Sequence, residues 1–274
     1  MANRSPKRRR KKKNRRQFPT AGLLALGAGL LAALLLLLPG RNADPEPVGP
    51  TIAANPYSPE DFYFEDGYLR CRVPGARLGI DVSEHQGHID WEQVREGGME
   101  FAFIRIGYRG YSQGGIYTDL CAAENLRAAR EAGLDVGVYF YSQAVSIEEA
   151  AEEALFCIRF LENTELELPV VFDWEYVSEE ARTGAVDRDT LTRCAQVFCE
   201  TIEKSGYEAM VYFNPSIARD AMDIALLQDY PFWLAMYSNE MDYPYAVEFW
   251  QYTEHGTVPG IEGDVDIDLM FIYE

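Results

Sequence analysis

The stretch LPVVFDWE, Leu168 to Glu175, reads as a strand buried on both faces: Val170, Val171 and Phe172 lead into two acids separated by one tryptophan. Residues i and i+2 of a strand project to the same face, so Asp173 and Glu175 are predicted to point together, their Cα atoms about 6.6 Å apart at roughly 3.3 Å per residue. Two carboxyls that close cannot both ionise freely, and one keeps its proton to a higher pH. A carboxylic acid still protonated near neutrality is what a glycosidase uses to protonate a leaving oxygen. By itself the D-x-E pattern is short, and two surface acids at a strand end would look the same. Its weight comes from what surrounds it.

On either side of this stretch, short apolar runs alternate with amphipathic helical segments. The runs are RLGIDVS (77–83), FAFIRIGY (101–108), DVGVYFYS (135–142), AMVYFN (209–214), PFWLAMY (231–237), EFWQYT (248–253) and DIDLMFIY (266–273). Between them, Ser146 and Glu149 form a predicted capping box, Asp187 or Asp189 is placed to cap LTRCAQVFCETIEK, and Gly206 ends that helix. This alternation over about 200 residues predicts an α/β fold, a parallel sheet or barrel. Helical signals thin out after Gln228, so an irregular TIM-like barrel is expected rather than one with eight helices.

In such a barrel the working residues sit at the C-terminal ends of strands. Asp81 ends the first run, within GIDVSEHQGHIDW, and Asp264, Asp266 and Asp268 open the last. Asp90, just before Trp91, suits a helix cap. His85 and His88 read as polar loop residues, and Arg105, inside an apolar run, as a buried partner for an acid. D-x-D-x-D at 264–268 invites a calcium reading, but an EF-hand loop does not run straight into a strand such as LMFIY, so no metal is assigned and Asp266 is taken as a site acid. Tyr139, Tyr141, Tyr212, Trp233, Tyr237 and Trp250 lie near strand ends, where aromatic rings can stack sugars. Of these, Tyr139, Tyr141, Tyr212, Tyr237 and Trp250 are taken as substrate-binding candidates. There is no G-x-S-x-G, P-loop or G-x-G-x-x-G, and no cofactor is expected.

The flanks add a location. Residues 1–20 hold ten Lys or Arg and no acid, while the rest of the chain carries 15 bases against 44 acids. So acidic a body repels nucleic acid. Ala21 to Leu38 is eighteen residues without a charge; as a helix it spans about 27 Å at roughly 1.5 Å per residue, close to the hydrocarbon thickness of a bilayer. The basic tail is expected to stay cytoplasmic, which puts the body outside a cell membrane. A cleaved signal peptide is the competing reading, disfavoured by the length of the run and the lack of an A-x-A site before Arg41. The expected divisions are a basic tail (1–20), a transmembrane anchor (21–38), a proline-rich linker (39–76) whose aromatic second half packs on the domain edge, and the barrel (77–274). Five cysteines include no zinc-type spacing. Most read as buried apolar residues, with a Cys71–Cys121 bridge left open.

Taken together and in order, GIDVSEHQGHIDW, VVFDWE, FWLAMY and WQYTEHGTVPGIEGDVDIDLMF closely resemble the glycoside hydrolase family 25 lysozymes, the muramidases, from about Leu78 to Phe271. The resemblance implies a barrel of eight strands with about five helices. It also implies hydrolysis of the β-1,4 bond between N-acetylmuramic acid and N-acetylglucosamine in peptidoglycan. The family's catalytic acid matches Glu175, its partner aspartate Asp173, and its other two site acids Asp81 and Asp266. Many members have Asn where this chain has Asp268, which bears on hydrogen bonding there. A monomer acting on peptidoglycan strands is expected. The rivals are a wall-binding protein without turnover and a hydrolase of another N-acetylhexosamine polymer such as chitin.

Overall fold

The computed structural model describes residues 51–271. The basic tail, the apolar run at 21–38 and the start of the linker lie outside the described residues. Among the described residues, no helix is long and apolar enough to cross a membrane.

All eight strand-like runs are strands, and they close on themselves. In chain order the described strands are β1 (Phe62–Glu65), β2 (Tyr68–Cys71), β3 (Arg77–Val82), β4 (Phe101–Arg109), β5 (Ile116–Thr118), β6 (Asp135–Ser142), β7 (Val170–Trp174), β8 (Ala209–Phe213), β9 (Phe232–Ala235), β10 (Phe249–Gly256) and β11 (Val265–Met270). The barrel runs β3-β4-β6-β7-β8-β9-β10-β11 and returns to β3. Every neighbouring pair is parallel except those of β11, which runs antiparallel to both β10 and β3. That reversal is possible because β10 and β11 are joined by a loop rather than a helix.

Among the described residues four α-helices cover the first half of the barrel: α1 (Trp91–Glu96), α2 (Ala122–Glu131), α3 (Ile147–Leu161) and α4 (Arg188–Lys204). Among the described residues, α4 is followed only by a π-turn at Ile217–Ala221 and a short 3-10 turn at Ile224–Leu227, and no helix follows Gln228, where the sequence loses its helical pattern. Asp90 caps α1 by accepting from the Gln93 amide, and Asp187, not Asp189, caps α4 through the Thr190 amide at 2.8 Å. The capping box of α3 is half formed. Ser146 takes the Glu149 amide, but the Glu149 carboxylate accepts from the Val145 amide and pairs with Arg182.

Two apolar layers hold the barrel. One lies between strands and helices and contains Cys157, Cys194 and Cys199, all fully buried; Cys194 and Cys199 lie on different sides of α4, so that helix is packed over a wide arc. Cys71 and Cys121 are separate free thiols. The other layer fills the barrel with Phe101, Phe103, Val171, Met210, Trp233 and Phe249. Room for these rings comes from Gly79 and Gly137, where a Cβ would sit 2.5 Å from the Phe101 ring and 2.3 Å from that of Phe103. The stretch expected as a linker packs from Ala54 onward. Tyr57 stacks on Phe271 at 4.2 Å, and the β1–β2 hairpin brings Phe62 edge-on to Trp250.

Candidate active site

Strand register brings the acids together at the C-terminal mouth of the barrel. Asp81 faces Asp266 across the β3–β11 pair, and Asp173 lies between Tyr141 of β6 and Tyr212 of β8. Glu175 follows the last residue of β7. These residues line one pocket of about 270 Å³ with Arg105, Tyr139, Trp233, Tyr237, Gln251 and Glu254. A larger cleft, about 600 Å³, lies at the opposite mouth between Asn163–Leu168 and Ser205–Glu208. It precedes β7 and β8 and is remote from the converging carboxyls.

Burial dominates the electrostatics. It pushes the Asp173 carboxyl well above its ordinary range, with Glu175 adding to the rise and Arg105 opposing it. Asp173 Oδ1 is buried and has no hydrogen-bond partner among the described residues. Glu175 is also raised by burial, offset by contact with the Tyr212 hydroxyl. That hydroxyl has one proton, and it donates it to Gln251 Oε1 at 2.9 Å. Glu175 and Gln251 thus compete for the single Tyr212 proton. Gln251 in turn donates to Asp81 Oδ2 at 2.6 Å. Asp81 is raised by burial and by the charges of Asp266 and Asp268, and Asp266 is pushed up to about 6 by burial and Glu254. Asp268, fully buried beneath the pocket, accepts from Trp233 Nε1 at 2.8 Å.

The Glu175 backbone is also held. Its carbonyl accepts from Gln143 Nε2 at 2.8 Å, while Gln143 Oε1 accepts from Thr183 and the Gln143 carbonyl accepts from Arg182 at 2.7 Å. Gln143 is completely buried. Arg105 pairs with Asp119 at 2.9 Å and with Glu84 at 3.5 Å, which secures the turn after β3.

Of the residues singled out in the sequence, Asp81, Asp173, Glu175, Asp266, Tyr139, Tyr141, Tyr212 and Tyr237 share the pocket, and His85 stands at its edge. Trp250 does not reach it. Its ring is fully buried outside the barrel against Phe62 and Tyr252, and its Nε1 donates to the Met236 carbonyl at 2.7 Å. The reason is alternation: Phe249 and Gln251 point inward on β10, so Trp250 points out. Trp233 lines the pocket instead. Asp264 is exposed and meets His255 at 3.0 Å, and His88 lies off the pocket. Among the described residues no group of three or more His, Cys, Asp or Glu has the geometry to hold a metal ion. Gln143, Gln251 and Glu254 escaped the sequence reading; for Gln251 the signal was there, two residues from inward Phe249.

Known proteins resemble this chain in sequence and fold. The profile of glycosyl hydrolases family 25 matches residues 80–261. The autolytic lysozyme of Clostridium acetobutylicum is 26% identical over 191 residues, covering 69% of this chain and 54% of that protein. Lysozyme M1 of Streptomyces globisporus is 26% identical over 198 residues, 69% of this chain and 65% of its own length. The modular autolysin LytC of Streptococcus pneumoniae, solved in complex with a synthetic peptidoglycan ligand, superposes with a TM-score of 0.65 at 27% identity, over 77% of this chain and 52% of that one. The chain thus spans about half the length of that structure. The chain belongs to glycosyl hydrolases family 25, and its barrel is a glycoside hydrolase domain.

Proposed function

We propose that the barrel cleaves the β-1,4 bond between N-acetylmuramic acid and N-acetylglucosamine in peptidoglycan, with Glu175 as general acid and Asp173 assisting through the substrate's own N-acetyl group. One observation carries this reading: two mutually repelling carboxyls, Asp173 buried and Glu175 half-buried, open into the same pocket from the end of one strand. In the first step Glu175 gives its proton to the glycosidic oxygen as the bond to the anomeric carbon breaks. The acetamido carbonyl oxygen attacks that carbon, in the substrate-assisted variant of two-carboxylate chemistry. Asp173 Oδ1, lacking a donor, suits the acetamido N–H, whose acidity rises as its carbonyl attacks. Water then opens the cyclic intermediate while Glu175 takes back a proton, with net retention at the anomeric carbon.

Asp266, pushed up only to about 6, keeps negative charge near the developing oxocarbenium centre at neutral pH, and Asp81 beside it is held by Gln251. The tyrosines around them offer ring faces and hydroxyls to the sugars. The basic tail and the apolar run at 21–38 support tethering at the outer face of a cell membrane. Mass analysis of fragments released from purified peptidoglycan tests the reading: products ending in reducing N-acetylmuramic acid are expected. Binding without release would favour a wall-binding protein, and release from chitin alone would favour another N-acetylhexosamine polymer.

A further inference from the structure

The row of side chains that carries Asp173 does not stop at the barrel. Asp173 pairs in register with Tyr141, Tyr141 with Tyr108 on β4, and Tyr108 with Tyr117 on β5. β5 takes over the edge of β4 where β3 leaves it, so this last step lies outside the closed barrel. A bulge between Arg105 and Gly107 re-aims the strand. Gly107 faces outward, where a Cβ would strike the Phe156 ring at 2.5 Å, and Tyr108 turns to the same side as pocket-lining Arg105, whose guanidinium lies over the Tyr108 ring at 5.3 Å. Tyr117 stacks on Tyr108 with centroids 5.4 Å apart and is 50% exposed.

The hairpin keeps that ring bare. A Cβ on Gly110 would lie 3.3 Å from Tyr117 Cε2, and one on Gly115 would lie 3.1 Å from its hydroxyl. Neither glycine has a positive φ, so the backbone does not demand glycine at either position. What the two glycines provide is space beside an aromatic ring. That ring stands three ladder steps from Asp173, roughly 14 Å at about 4.8 Å per strand.

We propose that Tyr117, backed by Tyr108, is a saccharide-stacking platform that binds a sugar ring of the glycan strand beyond those held in the pocket. The proposal rests on the glycan reading of the pocket, since a polymer threaded past Asp173 and Tyr141 meets this ring next. A ring with one face supported and its surroundings cleared presents the apolar surface that a pyranose face covers.

The test compares the full-length protein and its Tyr117→Ala and Tyr117→Trp variants on glycan strands prepared from peptidoglycan and on the shortest saccharide the enzyme turns over. Tyr117→Ala should lower kcat/KM on the strands by about tenfold, mainly through KM, the effect of losing one stacked ring. The loss should shrink with chain length, and Tyr117→Trp should restore the wild-type value. A second arm measures strand binding in Glu175→Gln protein with and without Tyr117→Ala, so that it needs no turnover. Equal losses on long and short substrates, no loss on strands, or no change in strand binding would overturn the platform. A wild-type protein that bound strands through Tyr117 yet cleaved nothing would instead count against the hydrolytic reading alone.

Discussion

Gln251 donates its amide to Asp81 Oδ2 at 2.6 Å, and that bond sets the direction of a hydrogen-bond chain across the pocket. With its nitrogen committed to Asp81, Gln251 presents its oxygen to Tyr212 and, at 3.3 Å, to Tyr237, and so competes with Glu175 for the single Tyr212 proton. Replacing Gln251 with leucine frees the Tyr212 proton. Tyr212 can then donate to ionised Glu175, which favours the charged form and lowers its pKa. In the proposed mechanism Glu175 acts in its protonated form, so the alkaline limb of the kcat/KM profile should move to lower pH in Gln251→Leu. A limb at the wild-type position would show that this chain does not govern Glu175.

Asp268 offers a test of stability. Burial raises its carboxyl well above the ordinary 3.8, Trp233 supplies one hydrogen bond, and Oδ2 has no donor although Asp81 lies within hydrogen-bonding reach. A proton held between the two acids fills that gap. For an acid whose folded pKa is raised, the stabilisation is full below the unfolded value and is lost as pH rises through the folded one. Asp268→Asn supplies a permanent N–H donor of the same shape. It should raise Tm at pH 7 to 8 by a few degrees, with the gap closing toward pH 4. An equal gain at every pH would mean that titration of Asp268 is not its source.

Gln143 touches no lining surface of the pocket, yet it fixes the carbonyl of Glu175 and, through Thr183 and Arg182, the loop that follows. Gln143→Leu keeps the volume and removes all three side-chain bonds, to the Glu175 and Ser142 carbonyls and from Thr183. It should lower kcat by about 10- to 100-fold, the usual cost of a reacting group displaced by a fraction of an ångström to one ångström, with KM little changed. A rise in KM at constant kcat would assign Gln143 to substrate binding instead.

The barrel strands are legible in the sequence because strands covered on both faces are apolar almost throughout, as in PVVF before Asp173 and FAFI before Arg105. Four of the five pocket acids, Asp81, Asp173, Glu175 and Asp266, are legible because each lies at the mouth end of such a run, and Asp173 and Glu175 share a face by spacing alone. The hairpin at 62–71 and strand β5 are harder to see. Their segments are short, half exposed and held by tertiary contacts such as Tyr68 with the Thr257 carbonyl and Tyr108 with Tyr117. Gln143 is illegible for the same reason, since its partners lie 32 to 40 residues away. Trp250 shows the opposite error: a tryptophan near a strand end attracts a sugar-binding reading, while the alternation of Phe249, Trp250 and Gln251 already turns it outward.

The central claim is that Glu175 supplies the proton. The most direct measurement is turnover of purified peptidoglycan by Glu175→Gln, alongside its thermal unfolding. The isosteric amide keeps the Gln143 bond to the backbone and cannot protonate a leaving oxygen. Turnover should fall by about 100- to 10,000-fold, the range for loss of a general acid, while Tm holds or rises as a carboxyl whose charged form is disfavoured by burial is removed. Activity within tenfold of wild type from a folded variant would contradict the assignment.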